Sequence, residues 1–185
     1  GLLLSGLVSR FLRHRGTVVA SSALVGLAAL GVSMAPNAEV LPWAILGLGV
    51  CVGIYLPSGI ATIISLVRRE DWGKAMATHE LAPNLAYVAA PLLAEGVLAF
   101  SGWRTALMIM GGAQLAAAVL FLRFGRGGNS AGSPPSPTMI RRIARKPLFW
   151  LVAVFFGMAV GTSIGPYSMM PLFLVDAHGY TREAA

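Results

Sequence analysis

The chain has 185 residues, of which 56% are hydrophobic and only 11% charged. Soluble domains carry about 25% charged residues, so this composition, with a mean hydropathy of +0.74, excludes a water-soluble globule. The net charge of +7 comes from basic residues that flank apolar runs and build no separate basic domain, which points to a bilayer and away from nucleic acid.

Cys51 is the single cysteine, so an intramolecular disulfide is excluded. The first residue is Gly1 and no signal-peptide layout precedes the apolar body, so the expectation is a piece of a longer chain.

A bilayer core about 30 Å thick takes roughly 20 apolar residues as helix. In chain order, residues 1–9 are too short to span and read as the last turns of a helix. Spans are predicted over residues 17–35, 41–67, 79–100, 105–122 and 148–175. Four of these lack any charge; the third carries Glu80 and Glu95. Backbone groups in lipid need internal partners, which makes these runs helices, and barrel strands would be shorter and alternating.

The connections alternate in charge. One set holds Arg10, Arg13, Arg15, Arg68, Arg69, Lys74, Arg123, Arg126, Arg141, Arg142, Arg145 and Lys146; the other holds Arg104 and Arg182. The asymmetry of 12 to 2 places the first set in the cytoplasm. The longest connection begins GRGGNSAGSPPSP, a flexible-linker composition expected to be disordered or loosely packed. It continues MIRRIARK, which predicts a short amphipathic helix on the cytoplasmic surface with Met139, Ile140 and Ile143 towards lipid. No Gly-Lys-Ser/Thr follows the glycines, which argues against a phosphate loop.

His79-Glu80 lacks the second histidine four residues on, where Pro83 stands, so no zinc-protease site is read there. His14 and His178 fall in loops on opposite sides, and no catalytic set stands out; neither metal nor cofactor is expected. The third span is the most informative. Glu80, Asn84, Tyr87, Pro91 and Glu95 fall on one helical face, and such a stripe faces protein or a water-filled cavity. The alternatives for it are contact with headgroups, hydrogen bonding to a neighbouring helix, or lining a pathway.

A second stripe, Cys51, Tyr55, Ser58, Thr62 and Ser65, runs along the preceding span, where packing and path-lining both remain open. The last span carries Thr162, Ser163 and Tyr167 around Gly165-Pro166, with Pro171 beyond, and a broken or kinked helix is expected. The first and fourth spans have few polar residues beyond Ser21, Ser22 and Gln114 and read as lipid-facing supports.

Together these features resemble the major facilitator superfamily of secondary transporters. GLVSRFLRHRG at residues 6–16 is similar to the family's cytoplasmic loop between helices two and three, with Ser9 where the family has Asp. GLGVCVGIYLPSGIATIISLV resembles the fourth helix and RREDWGKAMATHELAPN the entry to the fifth. Ala90-Pro91 with Ala94 resembles the family's Gly-Pro antiporter pattern, with Glu95 replacing a small residue. Gly102-Trp103-Arg104 resembles the external turn between helices five and six, and Pro171 to Val175 before Gly179-Tyr180 the outer end of helix seven. Trp43 stands where the family's fourth helix often carries an arginine linked with proton coupling.

The resemblance implies an all-α, polytopic transmembrane bundle that is incomplete here. Residues 1–123 would hold the end of helix two and helices three to six, 124–147 the central cytoplasmic loop, and 148–185 helix seven and the start of the following external loop. It implies a multi-pass transporter of the cell membrane that moves a small solute by alternating access, with or without a coupling ion. The alternative is a non-transporting scaffold or sensor of similar fold. Path-lining residues on this reading are Tyr55, Ser58, Asn84, Tyr87, Glu95, Ser163 and Tyr167, with the solute and the lipid bilayer as partners, no nucleic acid, and the oligomeric state open.

Overall fold

The computed structural model describes residues 1–134 and 136–179. Tyr180 and Arg182, which entered the sequence reading above, lie outside them. The described residues form six α-helices and no strand: α1 (Leu2–Ser33), α2 (Leu41–Ile64), α3 (Trp72–Leu98), α4 (Trp103–Phe124), α5 (Pro137–Ala144) and α6 (Pro147–His178), with a 3-10 turn at Arg69–Asp71 before α3. Among the described residues, Leu4–Ser33, Leu41–Ile64, Arg69–Leu98, Trp103–Phe124 and Pro147–Pro166 are long and apolar enough to cross a membrane. These five correspond to the five predicted spans. The chain divides into two compact units, Gly1–Pro134 and Pro135–Ala185.

In the first unit, α1 packs against α2 and α4. Two glycines set the closest approach of α1 and α4. A Cβ on Gly26 would stand 2.8 Å from the Gly111 carbonyl oxygen, and one on Gly111 would stand 2.9 Å from that of Gly26. Small residues at a crossing let backbones approach, which is how helices gain packing where lipid supplies no hydrophobic drive. Two arginines clamp the ends of the same pair. Arg104 Nη2 donates to the Ala35 carbonyl at 2.8 Å, and Arg15 Nη2 donates to the Leu122 carbonyl at 2.9 Å. Each cation thus satisfies carbonyls at the carboxyl end of the other helix, where the helix dipole is negative.

The segment expected as a loop at residues 10–16 is instead helical on both sides of one residue. Arg13 has φ 57° and ψ 170°, a conformation outside the helical region within α1. Its effect shows in what the two halves touch. Ser5 and His14 both reach the Ser58 hydroxyl, at 3.3 and 3.2 Å. A straight helix would hold residues nine apart about 13.5 Å from each other, too far for both side chains to meet one atom. Arg13 therefore turns the chain, so that both halves of α1 lie against α2.

The glycine-rich linker also departs from its expectation. Its backbone is tied to the break: Arg15 N–H donates to the Gly128 carbonyl (2.9 Å), His14 N–H to that of Ser130 (3.2 Å), and Gly132 N–H to that of Ser9 (3.0 Å). Gly128 N–H in turn donates to the Ser65 hydroxyl at 2.9 Å. The chain break leaves helix-end donors and acceptors without helical partners, and the linker supplies them. Gly128 is buried with φ +64°, and a Cβ there would meet the Thr62 hydroxyl and the Arg15 nitrogen. The linker is a clasp over the break in α1 and the carboxyl-terminal end of α2.

The second unit holds α5 and α6. The predicted amphipathic helix is present as α5, capped by Ser136, whose hydroxyl accepts from Met139 N–H. The break expected at Gly165-Pro166 is absent: α6 continues through Pro166 and Pro171 and ends at Gly179 in the left-handed conformation. Membrane helices tolerate proline where hydroxyls and neighbours re-satisfy backbone groups. The Thr162 and Ser163 hydroxyls donate to the carbonyls of Met158 and Ala159, one turn before the Thr162 carbonyl whose helical donor Pro166 removes.

Candidate functional site

The seven path-lining residues expected from the sequence fall in three settings. On α2, Ser58 is fully buried (0% exposed) between the two halves of α1, and Thr62 beside it bonds the Ser58 carbonyl. Tyr55, one turn earlier, is half-buried and reaches α3: its hydroxyl lies 3.3 Å from His79 Nε2, and the two rings stack with centroids 6.3 Å apart. His79 Nδ1 lies 3.4 Å from a Glu80 carboxylate oxygen. A chain of polar groups, Tyr55–His79–Glu80, thus joins the two helices.

On α3 the remaining stripe is open. Glu80, Asn84, Tyr87, Pro91 and Glu95 are all exposed, Tyr87 by 45%. No described residue of α3 is fully buried; the partly covered ones are Ala75, Met76, His79, Ala90, Ala94 and Val97. The two sets are offset by about one position, or about 100° around the helix. The polar face therefore turns away from the packed face. Asn84 donates to the Glu80 carbonyl at 2.6 Å, and Pro83 and Pro91 each remove a backbone donor from the helix.

On α6, Ser163 is exposed and its hydroxyl donates to the Ala159 carbonyl at 2.8 Å. The side chain of Tyr167 lies outside the described ones. α6 belongs to the second unit and is described by itself.

The structure adds residues that the sequence reading set aside. Ser21 and Ser22 of α1 and Gln114 of α4, read as incidental polar groups on lipid-facing supports, converge with Val25, Val52 and Tyr55 around a cavity of about 150 Å³. The cavity sits near the middle of α2 and α4. Ser21 bonds the Val18 carbonyl, while neither the Ser22 hydroxyl nor the Gln114 amide bonds another described residue. A pattern on any one of these spans could not reveal this, because two serines and a glutamine on separate helices meet only once their rotations are fixed. Among the described residues no group of three His, Cys, Asp or Glu side chains could hold a metal ion.

This all-helical architecture of the described residues, with five potential spans and polar stripes on three of them, agrees with comparison to known families. The model for the Major Facilitator Superfamily matches residues 1–185. The chain belongs to that superfamily. It is accordingly a multi-pass membrane transporter of a family that carries small solutes, and its polar stripes sit on helices of such a protein. No curated protein and no solved structure gives a match.

Proposed function

We propose that this superfamily member is a secondary active transporter that moves a small solute across the cell membrane by alternating access. The solute meets the α3 face of Asn84, Tyr87 and Glu95 together with Tyr55 of α2; Ser163 and Tyr167 are path residues of α6 by their sequence pattern. The observation that carries this reading is the rotation of α3. Its small residues Ala90 and Ala94 are partly covered, and its amide, phenol and carboxylates are left open on a neighbouring face. A helix needing those groups only as glue would turn them into its packed side. A carboxylate such as Glu80 or Glu95 is costly against lipid, so the face belongs to a wet path. Ser58 shares the α2 stripe, and it joins the path in a conformation that parts α1 from α2.

The test is transport by the full-length protein across a panel of candidate solutes, normalised to membrane level. Asn84→Ala, Tyr87→Phe and Glu95→Gln should each change apparent affinity or turnover severalfold at unchanged abundance. Leu24→Ala and Leu120→Ala, on exposed apolar surface, should change neither. Equal transport by all five variants would overturn the assignment.

A further inference from the structure

α5 and the residue pair after it carry Arg141, Arg142, Arg145 and Lys146 within six positions, and no acidic residue stands between Glu95 and Asp176 in the sequence. Among the described residues none of these four cations makes an ion pair; the pairs that form involve Arg68, Lys74 and His79. At about 100° per residue, Met139, Ile140, Ile143 and Ala144 occupy one arc of α5. Arg141, Arg142 and Arg145 occupy the opposite one. Both faces are uncovered: Met139 is 58% exposed, Ile140 51% and Ile143 36%.

The depth of α5 is set by α6. Trp150, in the first turn of that spanning helix, donates its indole N–H to the Ala144 carbonyl at 2.8 Å. Tryptophan at the end of a span favours the headgroup level, where its ring is half apolar and its N–H is wet. The bond holds the end of α5 at that same level. An amphipathic helix so placed lies in the interface plane, apolar side inward.

We propose that α5 with Lys146 is a docking surface for anionic phospholipid of the cytoplasmic leaflet. Met139, Ile140 and Ile143 enter the acyl boundary, and Arg141, Arg142, Arg145 and Lys146 take the lipid phosphates. Charge complementarity selects this occupant. A neutral bilayer would accept the aliphatic face and leave four cations without counter-charge, whereas basic clusters just cytoplasmic of a span are drawn to anionic headgroups. The inference rests on membrane insertion and is independent of which solute moves.

The experiment uses the full-length protein with Cys51→Ser and a nitroxide on Ile140→Cys. It is reconstituted in vesicles of phosphatidylcholine alone or mixed with phosphatidylglycerol. Relative relaxation by oxygen and by a water-soluble nickel chelate reports burial of the label. Burial is expected in the phosphatidylglycerol vesicles and not in the neutral ones. Arg141→Gln with Arg142→Gln should lower the buried-to-exposed ratio by about 30-fold, at about fivefold per cation. Arg141→Lys with Arg142→Lys, which keeps the charge, should preserve it. A label buried equally in both vesicles, as it would be under another protein segment, overturns the proposal, and so does one exposed in both.

Discussion

His14 Nδ1 and the Ser58 hydroxyl lie 3.2 Å apart, although Ser58 is also the residue that Ser5 touches from the other half of α1. One small side chain therefore pins both limbs of the turn at Arg13 to α2. Removing its hydroxyl in Ser58→Ala should cost about 1 kcal/mol, the net worth of an ordinary hydrogen bond. Ser58→Leu should cost more, about 1–3 kcal/mol beyond that, because the site is fully buried and has no room. Thermal unfolding of the full-length protein in detergent measures both. A leucine variant as stable as the parent would show that the two limbs do not close on α2.

The clasp over this turn gives a pair of substitutions with opposite signs. Arg13 adopts φ 57° and ψ 170°, which glycine accepts and arginine pays for in strain of order 1–3 kcal/mol. Arg13→Gly should therefore raise stability by about 1 kcal/mol. Gly128→Val should lower it by at least 1–3 kcal/mol, since its φ is +64° and a side chain would displace the Thr62 hydroxyl. In the same variant the linker should come away from Ser9, His14 and Arg15. Trypsin should then cut after Arg126 faster than it does in the parent.

These contacts show where the sequence was legible and where it was not. Apolar runs long enough to span are a local property, so the spans at α2, α4 and α6 could be placed from composition alone. The alternation of charged loops was equally local. The clasp was not, because Gly127, Gly128 and Gly132 make the linker permissive but say nothing of the His14 and Arg15 amides, just after the break, that fix it. Of the broken or kinked helix expected at Gly165-Pro166, the break is absent. A proline inside a membrane helix does not by itself end it, and α6 runs on through Pro166 and Pro171. Of the candidate site, the α3 stripe was readable from its 3.6-residue period. The partner of Tyr55 was not, since His79 reaches it only through tertiary packing, as Ser22 and Gln114 join its cavity.

Topology supplies a third test. Ser136 caps α5 among the basic residues, while Ala38 lies in the α1–α2 connection beside Arg104. The charge asymmetry puts Ser136 in the cytoplasm and Ala38 and His178 outside. In intact cells, on a Cys51→Ser background, a membrane-impermeant thiol reagent should label Ala38→Cys and His178→Cys and leave Ser136→Cys unmodified until the membrane is opened. The reverse pattern would invert the whole assignment.

The cavity between α1, α2 and α4 makes the last prediction. A void of about 150 Å³ lined only by aliphatic groups would stay dry. This one presents the Ser22 hydroxyl and the Gln114 amide, neither bonded to another described residue, with Tyr55 beside them. Leaving an amide unpaired in an apolar medium costs about 1–3 kcal/mol on mutational scales, whereas each ordered water costs about 0–2 kcal/mol and satisfies several groups at once. Hydration wins that comparison. Ser22→Cys and Gln114→Cys in the Cys51→Ser background should therefore react with a small water-soluble thiol reagent, although both lie near mid-membrane. Leu24→Cys and Leu120→Cys, on the exposed apolar surface of the same two helices, should be unreactive because a thiol in lipid does not ionise to the nucleophilic thiolate. Absence of reaction at both cavity positions, with the protein at normal abundance, would show that the space is dry and that its polar groups are satisfied by protein.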